Sequence, residues 1–268
     1  MAHCERGDEY ICGQSAHNYK FEGGGAAVLG SIQPQPIENE ADGSLCFTKI
    51  AAAIKPDDSH FAKTRLLSLE NTIGGKVLGI DYLIKAREFV DQHNLALHLD
   101  GARAFNAAAE LNLDIKEITK HFDSVSICLS KGLGAPVGSL LLGSKQLIAK
   151  ARRWRKVLGG GMRQAGILAA AGQYALENNT QRLVDDHANA RYLAKQLSEI
   201  SGFEVNMSNT TNMVYATFDN NINITKLAAD LKAQDIVFSP SKQLRLVTHL
   251  GITKADIDTF IKALTAHI

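Results

Sequence analysis

The sequence predicts an α/β protein built on a mostly parallel sheet, followed by a small α+β domain. Through roughly the first two thirds of the 268 residues, strand-length apolar runs alternate with segments of helical period. That alternation is typical of parallel strands joined by helices. The last third instead mixes short apolar runs with amphipathic segments. With 45% hydrophobic residues, the chain is long enough to bury one large core and a second, smaller one.

Three apolar runs are the clearest strands. The segment between the first two has its apolar residues on one helical face and a stop at Asn94. A second helical stretch, broken in two, separates the second run from the third. Each connection is long enough for a right-handed crossover, so the three strands are predicted to be parallel. The strands are 66–69, 95–99 and 125–129, and the helical segments are 80–93, 104–111 and 115–121.

The sheet is predicted to change direction after 125–129. The next apolar run, 139–142, follows too closely for a crossover helix, so this pair is predicted to be antiparallel. An Ala-rich helix then runs from the triple glycine 159–161 to about Leu176, and Asn178-Asn179 marks a break. We therefore predict a large domain over 1–178 and a small domain over 179–268.

The small domain is predicted to mix helices and strands. Its last helix opens at Thr253, with Asp256 placed three residues later to complete a capping box. The predicted helices are 182–200, 224–233 and the one after Thr253, and the predicted strands are 213–218, a short one around Ile236, and 244–248.

The charge balance and the cysteine spacing argue against several classes of function. The 29 Lys and Arg residues nearly balance the 28 Asp and Glu residues, so no positive field is expected to hold a nucleic acid or an anionic membrane. Small molecules are the expected partners. The four cysteines show no C-x-x-C spacing, which argues against zinc, a redox dithiol or a disulfide framework and favours the cytoplasm. We expect no export signal at the charged N-terminus and no membrane span.

Polar residues terminate the three predicted parallel strands. Glu70-Asn71 ends the first, Asp100 the second and Ser130-Lys131 the third. In an open α/β sheet the ligand site lies beyond these carboxyl ends. A lysine amine and a carboxylate at one sheet edge suit pyridoxal 5'-phosphate, since the aldehyde forms a Schiff base and the ring nitrogen needs an anionic partner.

Each residue also has a structural interpretation. Asp100 can be an ordinary cap for the helix after Gly101, and Lys131 can be a solvated surface charge. The combination of both with the glycine-rich turn Gly132-Leu133-Gly134 favours the cofactor interpretation. The glycines fit no nucleotide motif: G-x-G-x-x-x-G has one residue too many and precedes a strand, and no glycine run has P-loop spacing.

Six ordered segments resemble one family across essentially the whole chain, the low-specificity L-threonine aldolases of the aspartate-aminotransferase-like superfamily. The segments are Ala16 to Tyr19 (AHNY), Leu69 to Thr72 (LENT), His98 to Arg103 (HLDGAR), Cys128 to Ser139 (CLSKGLGAPVGS), Trp154 to Gln164 (WRKVLGGGMRQ) and Arg245 to Leu250 (RLVTHL). The resemblance implies the pyridoxal-phosphate fold of type I, with a small C-terminal domain.

The resemblance also implies roles for individual residues. Lys131 would be the Schiff-base lysine, Asp100 the partner of the pyridine nitrogen, and His17 the residue that stacks on the cofactor ring and serves near the substrate hydroxyl. Arg103 and Arg245 would bind the substrate carboxylate, a task suited to a planar fork of donors. Without the resemblance, we would interpret His17 as a structural hydrogen-bonding residue and the two arginines as surface charges.

Arg163 has two interpretations, a contact to phosphate or a neighbouring subunit and a surface charge at a helix start. The sequence departs from the family pattern at Ile73, directly after the LENT segment, where many relatives have a histidine close to the substrate side chain. Residues that precede Cys4 in relatives, including a Thr-Gly-Thr phosphate-binding cup and a Ser-Asp-Thr segment, do not occur in this chain. We therefore expect the N-terminal part of the large domain to be missing and cofactor binding to be impaired.

The activity that the resemblance implies is cleavage of L-threonine or L-allo-threonine to glycine and acetaldehyde by a cytoplasmic homo-oligomer, a tetramer in the family. Two alternatives stay open. One is a non-catalytic remnant that keeps the fold. The other is a different pyridoxal-phosphate enzyme, a β-eliminating lyase or a transaminase, on the same scaffold.

Overall fold

The computed structural model describes residues 1–206 and 211–268 and contains nine strands in that part of the chain. The strands are β1 (Asp8–Gly13), β2 (Gln33–Ile37), β3 (Lys63–Glu70), β4 (Ala96–Asp100), β5 (Ser124–Cys128), β6 (Ser139–Gly143), β7 (Phe203–Asn206), β8 (Met213–Phe218) and β9 (Gln243–Val247).

Eleven helices accompany them within the same described ranges. They are α1 (His17–Lys20), α2 (Gly25–Gly30), α3 (Phe47–Ala53), α4 (Ile80–Gln92), α5 (Ala104–Leu111), α6 (Ile115–Thr119), α7 (Lys145–Val157), α8 (Gly166–Asn178), α9 (Leu183–Ser198), α10 (Ile224–Lys232) and α11 (Lys254–Thr265).

The large sheet has the order β2-β1-β3-β4-β5-β6. All of its pairs are parallel except β5 and β6, which are antiparallel as predicted from the short connection between them. The predicted crossover helix between β3 and β4 is α4, and α5 with α6 connects β4 to β5. The α/β fold class, with a mostly parallel sheet and a small second sheet, is confirmed.

The main hydrophobic core lies between the large sheet and its helices. Strand residues such as Leu67 and Leu97 are fully buried, and α4 buries the apolar face that its sequence predicts through Leu83, Ala86 and Val90. Burial of these side chains is the main force that holds the helix on the sheet, because a buried Leu contributes about 1.5 to 3 kcal/mol. The same packing fixes the strands whose ends form the site described below.

The small sheet, in the order β7-β8-β9, is antiparallel and has its own core. Helix α9 belongs to both cores, since Leu183 packs in the main core while Leu193 and Leu197 pack in the second. The predicted boundary at 178/179 falls just before this helix and stays a prediction. At the other end, α11 begins with the predicted capping box of Thr253 and Asp256.

The structure corrects the prediction for the small domain in one place. The strand expected around Ile236 does not form, because the Ile236 amide donates to the carbonyl of Leu231 at 3.1 Å and closes the end of α10. Asp235, with φ 60°, turns the chain there. The third strand of the small sheet is instead β7, which sequence reasoning did not identify.

Among residues 1–206 and 211–268, the structure contains no helix with both the length and the apolar character needed to cross a bilayer. Cys4, Cys12, Cys46 and Cys128 are free thiols.

Candidate active site

The polar ends of β3, β4 and β5 meet at one edge of the large sheet. Glu70 and Asp100 are partners in the β3/β4 register, so their side chains point to the same face of the sheet. The chain beyond each strand is held by the next one: the Asn71 amide donates to the Asp100 carbonyl at 3.0 Å, and the Gly101 amide donates to the Ser126 carbonyl at 2.9 Å. Lys131 follows β5 at the same edge.

Asp100 is held in place by local backbone contacts. Its Oδ1 accepts the Ala102 amide at 3.2 Å, a contact that uses one of the two carboxylate oxygens. The next residue must be glycine, since a Cβ on Gly101 would lie 2.7 Å from the Ser126 carbonyl oxygen. The N-cap of α5 is Arg103 and not Asp100, so the simple capping interpretation of Asp100 does not describe its role.

Lys131 sits in a tightly constrained turn. The Gly134 amide donates to the Lys131 carbonyl at 2.9 Å, and Gly134 has φ 75°, a conformation that favours glycine. Gly132 packs so closely that a Cβ would lie 3.0 Å from Leu183. Asn179 donates to the Leu133 carbonyl at 2.7 Å. These contacts fix the backbone that carries the half-buried lysine.

His17 approaches the edge from α1. Its backbone amide donates to Glu70 Oε2 at 2.7 Å, which places the start of this short helix against the end of β3. Its ring Nδ1 lies 2.8 Å from Glu22 Oε1, and the ring packs against Phe21 with centroids 5.2 Å apart. The imidazole is about half exposed.

The ionisation of Glu70 shows that these groups share one electrostatic environment. Burial raises the pKa of the Glu70 carboxyl to about 7, and the charge of Asp100 raises it further, while the His17 amide and the charges of His17 and Lys131 oppose this rise. The sequence-predicted Asp100, Lys131 and His17 therefore lie together around a carboxyl group poised to titrate near neutral pH.

Two guanidinium groups converge beside this cluster. Burial, followed by the charge of Arg245, lowers the pKa of Arg103, while Cys128, Tyr215 and Glu70 oppose the effect. Arg245 lies opposite Tyr215 in the register of β9 and β8, so the small sheet brings it to the large domain. Among the residues that the structure describes, the buried Arg103 Nε has no hydrogen-bond partner. A carboxylate bound between the two arginines would satisfy that donor.

The sequence singles out two other positions, Arg163 and Ile73. Arg163 is exposed in the segment between α7 and α8. Ile73, which stands where many relatives have histidine, is 7% exposed and packs in the main core. Sequence reasoning did not assign roles to Glu70, Cys128 and Tyr215; the strand-end position of Glu70 and the strand pairing of Tyr215 with Arg245 are the signals that place them here.

A strand-edge cluster of lysine, carboxylates and paired arginines is compatible with several lyases and transferases. The family model for beta-eliminating lyases matches residues 1–221 of the sequence. The chain belongs to the beta-eliminating lyase family. All of the strand-edge residues of the large domain lie within the matched range, as do the catalytic candidates Lys131 and His17.

Curated relatives of this family member carry a more specific name. The chain is 56% identical over 257 residues to the low specificity L-threonine aldolase of Escherichia coli strain K12, a match that covers 96% of this chain and 76% of that protein. It is 42% identical over 269 residues to the probable low-specificity L-threonine aldolase 2 of Arabidopsis thaliana, with 96% and 76% covered.

Solved structures show the same fold at low sequence identity. A putative L-allo-threonine aldolase from Listeria monocytogenes superposes with a TM-score of 0.79 at 20% identity, covering 97% of this chain and 75% of the other. The threonine aldolase of Leishmania major gives 0.78 at 20% identity, with 99% and 79% covered. An alanine–glyoxylate aminotransferase from a Nostoc species gives 0.70, so the fold is shared with aminotransferases as the sequence predicts.

Proposed function

We propose that this chain is a pyridoxal-phosphate-dependent aldehyde-lyase that cleaves L-threonine and L-allo-threonine to glycine and acetaldehyde. The observation that carries the proposal is the meeting of Asp100 and Lys131 at one sheet edge with Arg103 and Arg245, an amine, an anion and an anion-binding pair in one place. The names of the curated relatives support the same activity.

The residues at the edge fit the aldehyde and the ring of pyridoxal phosphate. When bound, this cofactor supplies an aldehyde that condenses with primary amines and a protonated ring that accepts electrons from a bond breaking at the amino acid α-carbon. Lys131 would hold the aldehyde covalently. Asp100, whose Oδ1 alone accepts the Ala102 amide, would keep the ring nitrogen protonated, and the half-exposed His17 imidazole would lie against the ring.

Arg103 and Arg245 would bind the substrate carboxylate. A bidentate contact to two planar guanidiniums fixes the rotation of the amino acid about its α-carbon, which selects the bond that breaks. Burial lowers the pKa of Arg103 and, among the described residues, leaves its Nε without a hydrogen bond. A bound substrate carboxylate would offset this cost. The pair would therefore favour binding of free amino acids over amines.

His17 is the residue we assign to the substrate hydroxyl. Cleavage of the Cα–Cβ bond requires that hydroxyl to lose its proton, either to the imidazole or to a water that the imidazole orients. When Glu22 accepts a hydrogen bond from Nδ1, the neutral ring carries its proton on Nδ1 and leaves Nε2 as an acceptor. Glu22 thus selects the tautomer that a general base needs.

We further propose that the enzyme acts in the cytoplasm, in amino acid catabolism that yields glycine, and that it works as a homo-oligomer. Four free cysteines support a reducing compartment. Exposed apolar side chains on the edge strand β6 support association between copies, since leucine clusters of this kind are typical of interfaces. They are Leu140, Leu141 and Leu142.

The experiment is a product assay with a matched lysine control. The protein is incubated with pyridoxal phosphate and either threonine isomer, and acetaldehyde is measured with alcohol dehydrogenase and NADH while glycine is measured by chromatography. We expect both products in equal amounts, their loss in Lys131→Ala, and normal rates in Lys85→Ala, which changes an exposed lysine of α4. Absence of acetaldehyde from both isomers, or normal turnover by Lys131→Ala, would reject the proposal.

A further inference from the structure

Glu70 is an ionisable group at the sheet edge to which the proposed function assigns no task. It is a half-buried carboxyl at the end of β3, next to Asp100 in the strand register. Its Oε2 accepts the backbone amide of His17 at 2.7 Å. A carboxyl group in such a position is costly to bury unless a hydrogen bond compensates, and the His17 amide supplies one.

Helix α1 has no side-chain cap of its own at its N-terminus. Its N-cap residue is Ala16, which has no side chain able to accept the unpaired amides of the first turn. Glu70, from another element, accepts the first of those amides. A four-residue helix has little intrinsic stability, so the direction of its first residue depends on contacts with the rest of the fold.

A second contact ties α1 to the same strand. Asn18 Nδ2 donates to Ser68 Oγ at 2.8 Å, and Ser68 lies two residues before Glu70 on β3. The two contacts differ in what they fix. The Asn18–Ser68 bond anchors the helix to the sheet, whereas the Glu70 bond sets the backbone of His17 itself.

We propose that Glu70 is a positioning residue, whose carboxylate holds the backbone of His17 at the sheet edge and so orients the imidazole toward the substrate hydroxyl. This inference rests on the proposed function for the chemistry that His17 performs, but the contact itself exists without cofactor. Ionisation of Glu70 strengthens the contact, because a carboxylate accepts a stronger hydrogen bond than a neutral carboxyl.

The charges that face Glu70 determine when this contact is strong. Asp100 on β4 favours the protonated carboxyl, while His17 on α1 and Lys131 after β5 favour the carboxylate. Arg103, at the start of α5, also interacts with Glu70 and favours the carboxylate. Since the pKa of the Glu70 carboxyl is about 7, the strength of its hydrogen bond to the His17 amide changes around neutral pH.

Amide hydrogen exchange of the cofactor-free protein tests the contact directly. The protection factor of the His17 amide, followed by NMR, removes the intrinsic pH dependence of exchange. We expect Glu70→Leu to lower it roughly ten- to hundredfold, the effect of losing a hydrogen bond to a charged group. Glu70→Gln, which keeps an acceptor oxygen, should retain most of the protection. The matched control is Ser68→Ala, which removes the contact of the Asn18 side chain with β3 and should leave the His17 amide largely protected.

The pH dependence supplies a second measurement that needs no unstable variant. In the wild-type protein the protection factor should rise as Glu70 ionises around pH 7, and in Glu70→Gln it should be flat. If Glu70→Leu does not fold, the comparison of wild type with Glu70→Gln is sufficient to test the positioning role. In the active enzyme, Glu70→Leu should lower kcat while KM changes little, because Arg103 and Arg245 still bind the carboxylate.

Three results would overturn the inference: unchanged His17 protection in Glu70→Leu, an equal loss in Ser68→Ala, or a wild-type protection factor that does not respond to pH. Failure of the proposed function is a separate outcome. A protein that releases no acetaldehyde but shows the expected exchange pattern would retain the Glu70 contact and lose only the aldolase assignment.

Discussion

Replacing Glu70 with glutamine removes a charge that the fold holds half-buried beside Asp100. Burial and Asp100 raise the pKa of this carboxyl from its ordinary 4.5 to about 7 in the folded protein. Between these two pH values the folded protein therefore binds the proton more tightly than the unfolded chain. The contribution of Glu70 to wild-type stability should fall as pH rises from about 4.5 to about 7, and this group should add no further change outside that window.

The size of the effect follows from the same pKa. A difference of about 2.5 pH units, at ~1.4 kcal/mol per unit, gives an upper limit of roughly 3 kcal/mol. Partial solvent access of Glu70 lowers this figure. Glutamine has no charge to bury and keeps an oxygen that accepts the His17 amide. Glu70→Gln should therefore gain stability relative to wild type as pH rises, by up to roughly 3 kcal/mol between pH 4.5 and pH 8.

Urea unfolding of the cofactor-free proteins, followed by circular dichroism at several pH values, measures this difference. The other titrating groups are the same in both proteins, so their contributions to the free energy of unfolding cancel in the difference. Glu40→Gln is the matched control, since Glu40 pairs with Lys49 at the surface and should show a difference that varies little with pH. A wild-type to Glu70→Gln difference that is constant from pH 4.5 to pH 8 would refute the reasoning about burial of this carboxyl.

Three further predictions concern binding and stability. Arg245→Ala and Arg103→Ala should each weaken amino acid binding by roughly 1.5 to 3 kcal/mol and leave cofactor affinity nearly unchanged, as substrate and cofactor titrations monitored by absorbance would show; an unchanged substrate midpoint in both variants contradicts the carboxylate assignment. Burial lowers the pKa of His98 to about 4, so the contribution of this group to stability should be lost as pH falls from about 6.5 to about 4. His98→Gln should lack that loss, which urea unfolding of both proteins would show as a stability difference that changes with pH. Thr253→Ala removes the capping box of α11 and should cost about 1 kcal/mol in the same assay, whereas no loss would mean that the cap contributes nothing.

The part of the fold that sequence reasoning predicted best is the part with strong local signals. A periodic apolar face identified α4, and the short connection before β6 required an antiparallel pair. Thr253 and Asp256 marked the start of α11 because a capping box is a local motif. The strand ends Asp100 and Lys131 were predicted together because parallel strands share one carboxyl edge.

The remaining elements depend on contacts that no local pattern reveals. Strand β2 contains two prolines, which sequence rules place against a strand, and it forms because it lies at the edge of the sheet. Strand β1 begins with the buried charges Asp8 and Glu9. The approach of Arg245 and Tyr215 to Arg103 is set by how the small sheet docks, and the link between Glu70 and α1 joins residues 53 positions apart.

We propose that Lys131 is the amine which holds pyridoxal phosphate at the sheet edge opposite Asp100. Borohydride reduction of the cofactor-loaded protein makes that link permanent, and peptide mass spectrometry then locates it. We predict that the pyridoxyl mass appears on the peptide containing Lys131 and is lost in Lys131→Ala. The same mass found instead on Lys156 or Lys242 would contradict the claim, since both lie outside the cluster around Glu70 and Asp100.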